Sequence, residues 1–204
     1  MSHFQSALIT ATLLATAGQA HSEDPRFGVE VLLGFPSADL KRVTEKEGLG
    51  MAFTLDWPSA GPHVLRPRLE FLFYPEETST SSFTLNTPNG PFQYSDVVKR
   101  SVDHAGLGLD YLFYPAGRSA GWHLDAGAVL LRYTFKGRVT ETASGGGSSY
   151  TETFSADETR TRGGFMLGFG YDFARNWRAG LRFTSTEIEN TRLNAYTLSV
   201  GYRF

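Results

Sequence analysis

From residue 25 onward the chain repeats one pattern eight times: apolar side chains at every second position. The first segment sets Phe27, Val29, Val31, Leu33 and Phe35 against Gly28, Glu30, Leu32 and Gly34. The last sets Tyr196, Leu198, Val200, Tyr202 and Phe204 against Thr197, Ser199, Gly201 and Arg203. Six others run over 49–57, 65–73, 105–113, 122–130, 165–173 and 177–183. Period two is the signature of strands with one apolar face. Helices fit poorly, because Gly106, Gly108, Gly168 and Gly170 would each cost a helix about 1 kcal/mol relative to Ala. In a strand such glycines instead let a neighbouring side chain approach. The predicted fold class is therefore all-β.

Composition narrows the function. The chain has no cysteine, which removes disulfides, thiolate metal sites and cysteine nucleophiles. Its formal net charge is −2, so bulk electrostatics give no reason to expect a nucleic-acid partner. No apolar run reaches the roughly 18 residues of a spanning helix. The stretch Ala7–Ala17 is apolar but short, and Gly18-Gln19-Ala20 follows with small residues in the pattern of signal-peptidase cleavage. Residues 1–20 are read as a signal peptide, despite an amino-terminal stretch without Lys or Arg, and residues 21–204 as one barrel domain.

The connections alternate in length. Short ones cover Pro58–Val64, Tyr114–Gly121 and Ala174–Asn176; long ones begin near Pro36, Pro75, Lys136 and Thr184. The two longest, Pro75–Arg100 and Lys136–Arg162, are rich in Ser, Thr, Gly and Glu and are read as loops, with Gly145-Gly146-Gly147-Ser148 as a flexible tip. Short turns at one end and long loops at the other are the habit of outer-membrane barrels. In segment five, Leu130 and Leu131 are adjacent and Tyr133 and Phe135 follow on the opposite parity, so a bulge that switches the outward face is expected there.

The face opposite the apolar one carries Gly, Arg, Asp, Ser and Thr rather than the Lys and Glu of a soluble surface. Small residues mixed with charges of both signs suit a narrow eight-stranded interior filled by side chains. The acids assigned to it are Glu30, Asp56, Glu70, Asp110, Asp125 and Asp172; the bases are Arg66, Arg68, Arg178, Arg182 and Arg203. Near balance is expected, since an unpaired charge away from water is expensive. Trp57, Trp122 and Trp177 each sit beside a short turn, joined by Phe113, Phe173, Tyr202 and Phe204. They are read as the periplasmic aromatic girdle, with Phe35, Phe73, Phe165, Phe183 and Tyr196 as a second one. About ten residues per strand, tilted about 45°, span roughly the 25 Å apolar band.

The end of the chain, Tyr196–Phe204 with the sequence YTLSVGYRF, resembles the terminal strand of the small outer-membrane barrels of the OmpX/Ail and OmpA-like type. The resemblance is specific at this strand and rests on pattern elsewhere. It implies an eight-stranded up-and-down antiparallel transmembrane β-barrel in the outer membrane of a Gram-negative bacterium. It further implies that Tyr196, Leu198, Val200, Tyr202 and Phe204 form the signal read by the barrel-assembly machinery. The partners implied are outer-membrane lipid, lipopolysaccharide, that machinery, and an extracellular ligand of unknown identity.

No phosphate-loop, HExxH or EF-hand pattern occurs, and no cofactor or metal is expected. Some relatives of this shape act on lipid A. Here His63 lies in a short turn, and His104 and His123 fall on the interior parity rather than facing lipid. Ser101, Asp103 and His104 are near in sequence, but parity turns His104 away from the other two. Asp110 is expected opposite Asp125, accepting hydrogen bonds from interior arginines. Lys41-Arg42 and Lys99-Arg100 are read as solvated loop charge, with contact to lipopolysaccharide phosphates as the other reading. The function read here is a non-enzymatic envelope or surface-contact barrel. The alternatives are a narrow pore for ions or small solutes and, less favoured, a lipid A-modifying enzyme or a soluble periplasmic barrel.

Overall fold

The computed structural model describes residues 24–59, 61–88, 90–116, 121–173, 176–188 and 191–204. The expected signal peptide lies outside them. Eight strands follow one another: β1 Arg26–Ala38, β2 Gly48–Pro58, β3 His63–Thr87, β4 Gly90–Phe113, β5 Gly121–Gly145, β6 Ser148–Asp172, β7 Trp177–Ile188 and β8 Thr191–Arg203. Each pairs antiparallel with the next, and β1 closes on β8 from Gly28↔Arg203 to Ala38↔Leu193. Closure removes every sheet edge within the ring, and lipid requires this because it cannot hydrogen-bond a free backbone N–H or C=O.

The outer surface of the ring is apolar. Phe27, Val31, Leu69, Leu107, Leu124, Leu167 and Val200 point outward and are exposed. Trp57, Trp122 and Trp177 also point outward, all at the short-turn end. Trp122 stands edge-on to Tyr171 at 4.9 Å, and Trp177 to Tyr202 at 5.2 Å, with Phe204 5.2 Å beyond. Phe113 and Phe173 lie at the same end. At the other rim Phe165, Phe183 and Tyr196 form a chain of rings 6.3 and 5.3 Å apart. Phe35 pairs with Tyr196, and Phe73 with Leu49.

Three expectations are corrected. First, the two longest connections are strand for almost their whole length. β3 and β4 pair out to Thr87↔Gly90, and β5 and β6 out to Gly145↔Ser148. β-branched Thr and Val alternate with aromatics there, and each strand has a neighbour to pair with. The glycines make tight turns: Gly146 and Gly147 take φ of +58° and +84°, as a two-residue hairpin loop requires. The connection after Thr184 is likewise strand on both sides, to Ile188 and from Thr191. Second, β5 has no bulge. Its register with β4 and β6 is unbroken, and Leu131 and Tyr133 stay on the buried parity. They break the polar-inside pattern because the interior becomes apolar at their level. Among the described residues the register shifts in β3, between Tyr74 and Glu77. Pro75 falls there and has no N–H to give the ladder. Third, Asp110 faces Gly127, and Asp125 faces Leu112.

Candidate functional site: the sealed interior and the outer sheet

The interior is layered. At the short-turn end Arg66 Nε donates to Asp56 at 2.6 Å. Arg178 donates to Asp172 at 2.7 Å and to Asp56 at 3.1 Å. Arg203 lies 3.0 Å from Asp172 and 3.6 Å from Asp56. One layer up, Arg68 donates to Glu30 at 2.7 Å and to Glu70 at 2.8 Å. Arg182 Nη2 bridges Asp110 at 2.8 Å and Asp125 at 3.1 Å, which joins the two carboxylates although they are not opposite in register. Arg66 lies 3.8 Å from Glu30 and ties the layers together. All eleven residues assigned to the interior network are buried, and ion pairs join them into one connected chain, with Arg182 lying 3.9 Å from Glu70. Buried charges of one sign must meet the other within hydrogen-bonding distance, and strands from opposite walls supply them across a narrow lumen.

Glycines hold this layer open. A Cβ at Gly201 would lie 2.6 Å from Glu30 Cγ, and one at Gly170 would strike the His123 ring. A space of about 10 Å³ beside Arg182, Asp125 and His123 fits about one water.

Sequence reasoning left out two parts of the interior. Tyr114, read as part of a turn, is buried; its hydroxyl donates to Asp172 at 3.0 Å and accepts from Arg178 at 2.7 Å. It continues the inward parity of Asp110 and Leu112, and that continuity was the available signal. The second part is an apolar layer above the charges. Leu32, Leu72, Val102, Leu131, Tyr133 and Met166 fill the lumen, and Leu40 caps them from a 3₁₀ turn, Asp39–Arg42. The turn is held by Val43 and Thr44 N–H groups donating to Leu40 C=O, and by Arg192 N–H donating to Asp39.

The histidines sit within this scheme. His104 Nε2 is 3.5 Å from Glu70, inside the barrel. Asp103 points out and meets Lys136 at 3.3 Å, so it is turned away from His104. His123 packs on Tyr114 at 5.0 Å, and His63 accepts or donates one hydrogen bond with the Tyr111 hydroxyl on the outer surface. Among the described residues no group of three or more metal-binding side chains comes together.

Beyond the rim, β3 to β6 continue together as a four-stranded sheet. Tyr74–Thr87 alone provides about 45 Å of strand at about 3.3 Å per residue. At its base Lys41, Arg42, Glu45, Glu77 and Arg100 line a pocket of about 200 Å³, where Lys46 Nζ donates to Glu76 C=O at 2.6 Å. The two basic stretches read separately in the sequence thus meet, with acids among them.

A closed eight-stranded ring, apolar outside and charged within, is the arrangement of a small membrane barrel. The model of the outer membrane protein β-barrel domain matches residues 6–204. The chain belongs to this family. It is an outer-membrane protein that crosses with strands; among the described residues no helix is long and apolar enough to cross a membrane. The N-terminal β-barrel domain of Pseudomonas aeruginosa OprF is similar in fold, with a TM-score of 0.55 at 14% identity, over 90% of this chain and 100% of that one. Neisserial surface protein A aligns with a TM-score of 0.46 at 14% identity, over 89% and 97%. Ail of Yersinia pestis, in complex with the heparin analogue sucrose octasulfate, aligns with a TM-score of 0.45 at 9% identity, over 88% and 97%. No curated protein matches the chain.

Proposed function

We propose that this barrel is a non-enzymatic envelope protein that contacts other surfaces through its outer sheet. The long-hairpin end faces outward from the cell and the tryptophan end faces the periplasm. The observation that carries this reading is the contrast between the two parts of the molecule. The ring is filled across its width by ion pairs and then by an apolar layer, and the space beside Arg182, Asp125 and His123 fits about one water. The sheet stands clear of the ring and carries exposed Phe83, Leu85, Tyr150 and Phe154. Monomeric soluble surfaces rarely collect apolar groups in this way unless they bind something. The buried histidines support a role without catalysis, since neither His104 nor His123 is open to lipid or solvent.

In this reading the outward face of β8, with Tyr196, Leu198, Val200, Tyr202 and Phe204, serves the assembly machinery, and the ring sits among lipid and lipopolysaccharide. Protease treatment of intact cells tests the orientation. Cleavage confined to the β3–β4 and β5–β6 hairpins, leaving a membrane-protected ring, is the expected result. Cleavage only after the outer membrane is permeabilised overturns it.

A further inference from the structure

The two faces of the outer sheet differ. The face continuous with the lumen is built in rows across four strands, fixed by register. Phe83, Tyr94, Ala143 and Tyr150 form one row. Ser79, Val98, Val139 and Phe154 form another. Between them runs Ser81, Asp96, Glu141 and Glu152, which puts three carboxylates side by side. Strands lie about 4.8 Å apart, and like charges directly opposite one another repel. Tyr94 and Tyr150 hydroxyls hydrogen-bond to Glu141 and Glu152, but neither carries charge. From these rows to the tip, this face has no Lys or Arg among the described residues; Arg100 lies on it one row nearer the ring, opposite Glu77. Lys99, Lys136 and Arg138 all point to the other face, where Lys99 meets Glu76 at 3.1 Å and Lys136 meets Asp103. That other face is otherwise almost wholly Ser and Thr, with Thr140–Thr153 and Thr142–Thr151 hydroxyl pairs at 3.2 and 3.3 Å. Phe83 packs on Tyr94 at 5.0 Å, while the ring faces at the other edge stay open: Tyr150 is 64% exposed and Phe154 51%.

We infer that this face binds an extended basic segment of a partner protein, with an arginine or lysine on the carboxylate row and apolar side chains on the two rows beside it. The inference rests on the surface-contact reading above and adds the chemistry of the partner. Charge decides the occupant. A strip of three carboxylates with no base beside it attracts a cation and repels anionic glycans, and a second copy stacked face to face sets acid against acid. Spacing agrees. Same-face side chains of an extended chain recur about every 6.8 Å, and so do the rows of the sheet, since both are two residues of strand. Arginine fits best, because its planar guanidinium donates to carboxylates along its edge and stacks an aromatic ring on its face.

The test uses the whole protein, 15N-labelled in zwitterionic micelles, titrated by NMR with an end-capped Phe-Ser-Arg-Ser-Phe peptide. Expected are shifts confined to the rows named, and binding at least tenfold weaker for the Phe-Ser-Glu-Ser-Phe peptide. In the Asp96→Asn, Glu141→Gln, Glu152→Gln triple variant, the arginine peptide should bind at least tenfold more weakly. That variant removes a repulsion, so its gel shift on heating should be unchanged. A second variant, Tyr150→Ser with Phe154→Ser, should also weaken binding while leaving the salt dependence in place. Equal binding of the two peptides, an unaffected triple variant, shifts elsewhere, no binding at all, or a dimer that excludes the peptide each overturn the inference. Protease cleavage of the hairpins on intact cells, combined with no peptide binding, would sink only this inference and leave the surface-contact reading standing.

Discussion

Arg178 touches three acceptors at once: Asp172, Asp56 and the Tyr114 hydroxyl. Replacing it with Met leaves Asp172 with Arg203 and the Tyr114 hydroxyl, while Asp56 keeps Arg66 and Arg203, in a buried site. Removing one member of a buried charge pair costs about 3–5 kcal/mol, because the remaining charge keeps its desolvation penalty. Arg178→Met is expected to lower stability by that amount, read as urea unfolding in micelles. Adding Asp172→Asn should recover part of the loss, and a double-mutant cycle measures how much. Gly201→Leu probes the same layer by volume. Its Cβ would meet Glu30 Cγ at 2.6 Å and the Val29 carbonyl at 3.0 Å, so backbone as well as side chain must move. A heat-modifiable band for Gly201→Leu as abundant and as heat-resistant as the parent's would overturn this account. The charged residues of this layer were legible because period-two parity assigns a side to every residue. Their pairing was not. Asp110 and Asp125 meet through Arg182 and not through register, and no strand pattern encodes a bridge across the lumen.

β3 to β6 each have two parts, one in the ring and one beyond it. Ring segments alternate apolar with small or charged residues, and that contrast is strong. In the outer halves of β3 to β6 the alternation is Thr or Ser against aromatic, Val or acid, so a Ser- and Thr-rich composition masks a strand. The same masking hid β7 and β8 beyond Thr184. In β5 the error ran the other way: Leu131 and Tyr133 suggested a bulge because the lumen itself turns apolar there. The outer sheet leans on the ring through its continuous strands and, at its base, through Glu45 and Lys46, which donate to Glu77 and Glu76, so the part above that base is separable. Thr78, Lys99, Arg138 and Ser155 lie in one row across the four strands. Replacing 79–98 and 139–154 each by Asn-Gly closes both hairpins at that level with a favoured turn. The shortened protein is expected to keep its gel shift on heating, because every pair removed lies beyond the ring and each such pair contributes only about 0.2–1 kcal/mol. Loss of the shift would mean that the outer sheet is part of the ring's fold.

Across the whole molecule two barriers stand in series along the lumen. The first is the ion-paired layer, where Arg66, Arg68, Arg178, Arg182 and Arg203 occupy six carboxylates and an entering ion would have to displace one of them. The second is the apolar layer from Leu32 to Met166 under Leu40, where the Tyr133 hydroxyl is already engaged by Thr186 at 3.0 Å and the packed aliphatic groups give a permeating ion poor solvation, as in hydrophobic gates. Eight strands set this outcome by geometry, since a ring of that size encloses little more than its own side chains. Purified protein inserted in planar bilayers is therefore expected to give no resolved current steps. Thinning only the upper barrier, with Leu72→Ala, Leu131→Ala and Met166→Ala together, should destabilise the barrel by several kcal/mol through cavity formation. It should still leave the membrane silent, because the ion-paired layer beneath is intact. Steps in the parent protein would overturn the sealed reading outright. Steps only in the triple variant would show that the apolar layer alone closes the lumen and that the arginines beneath it yield to an ion.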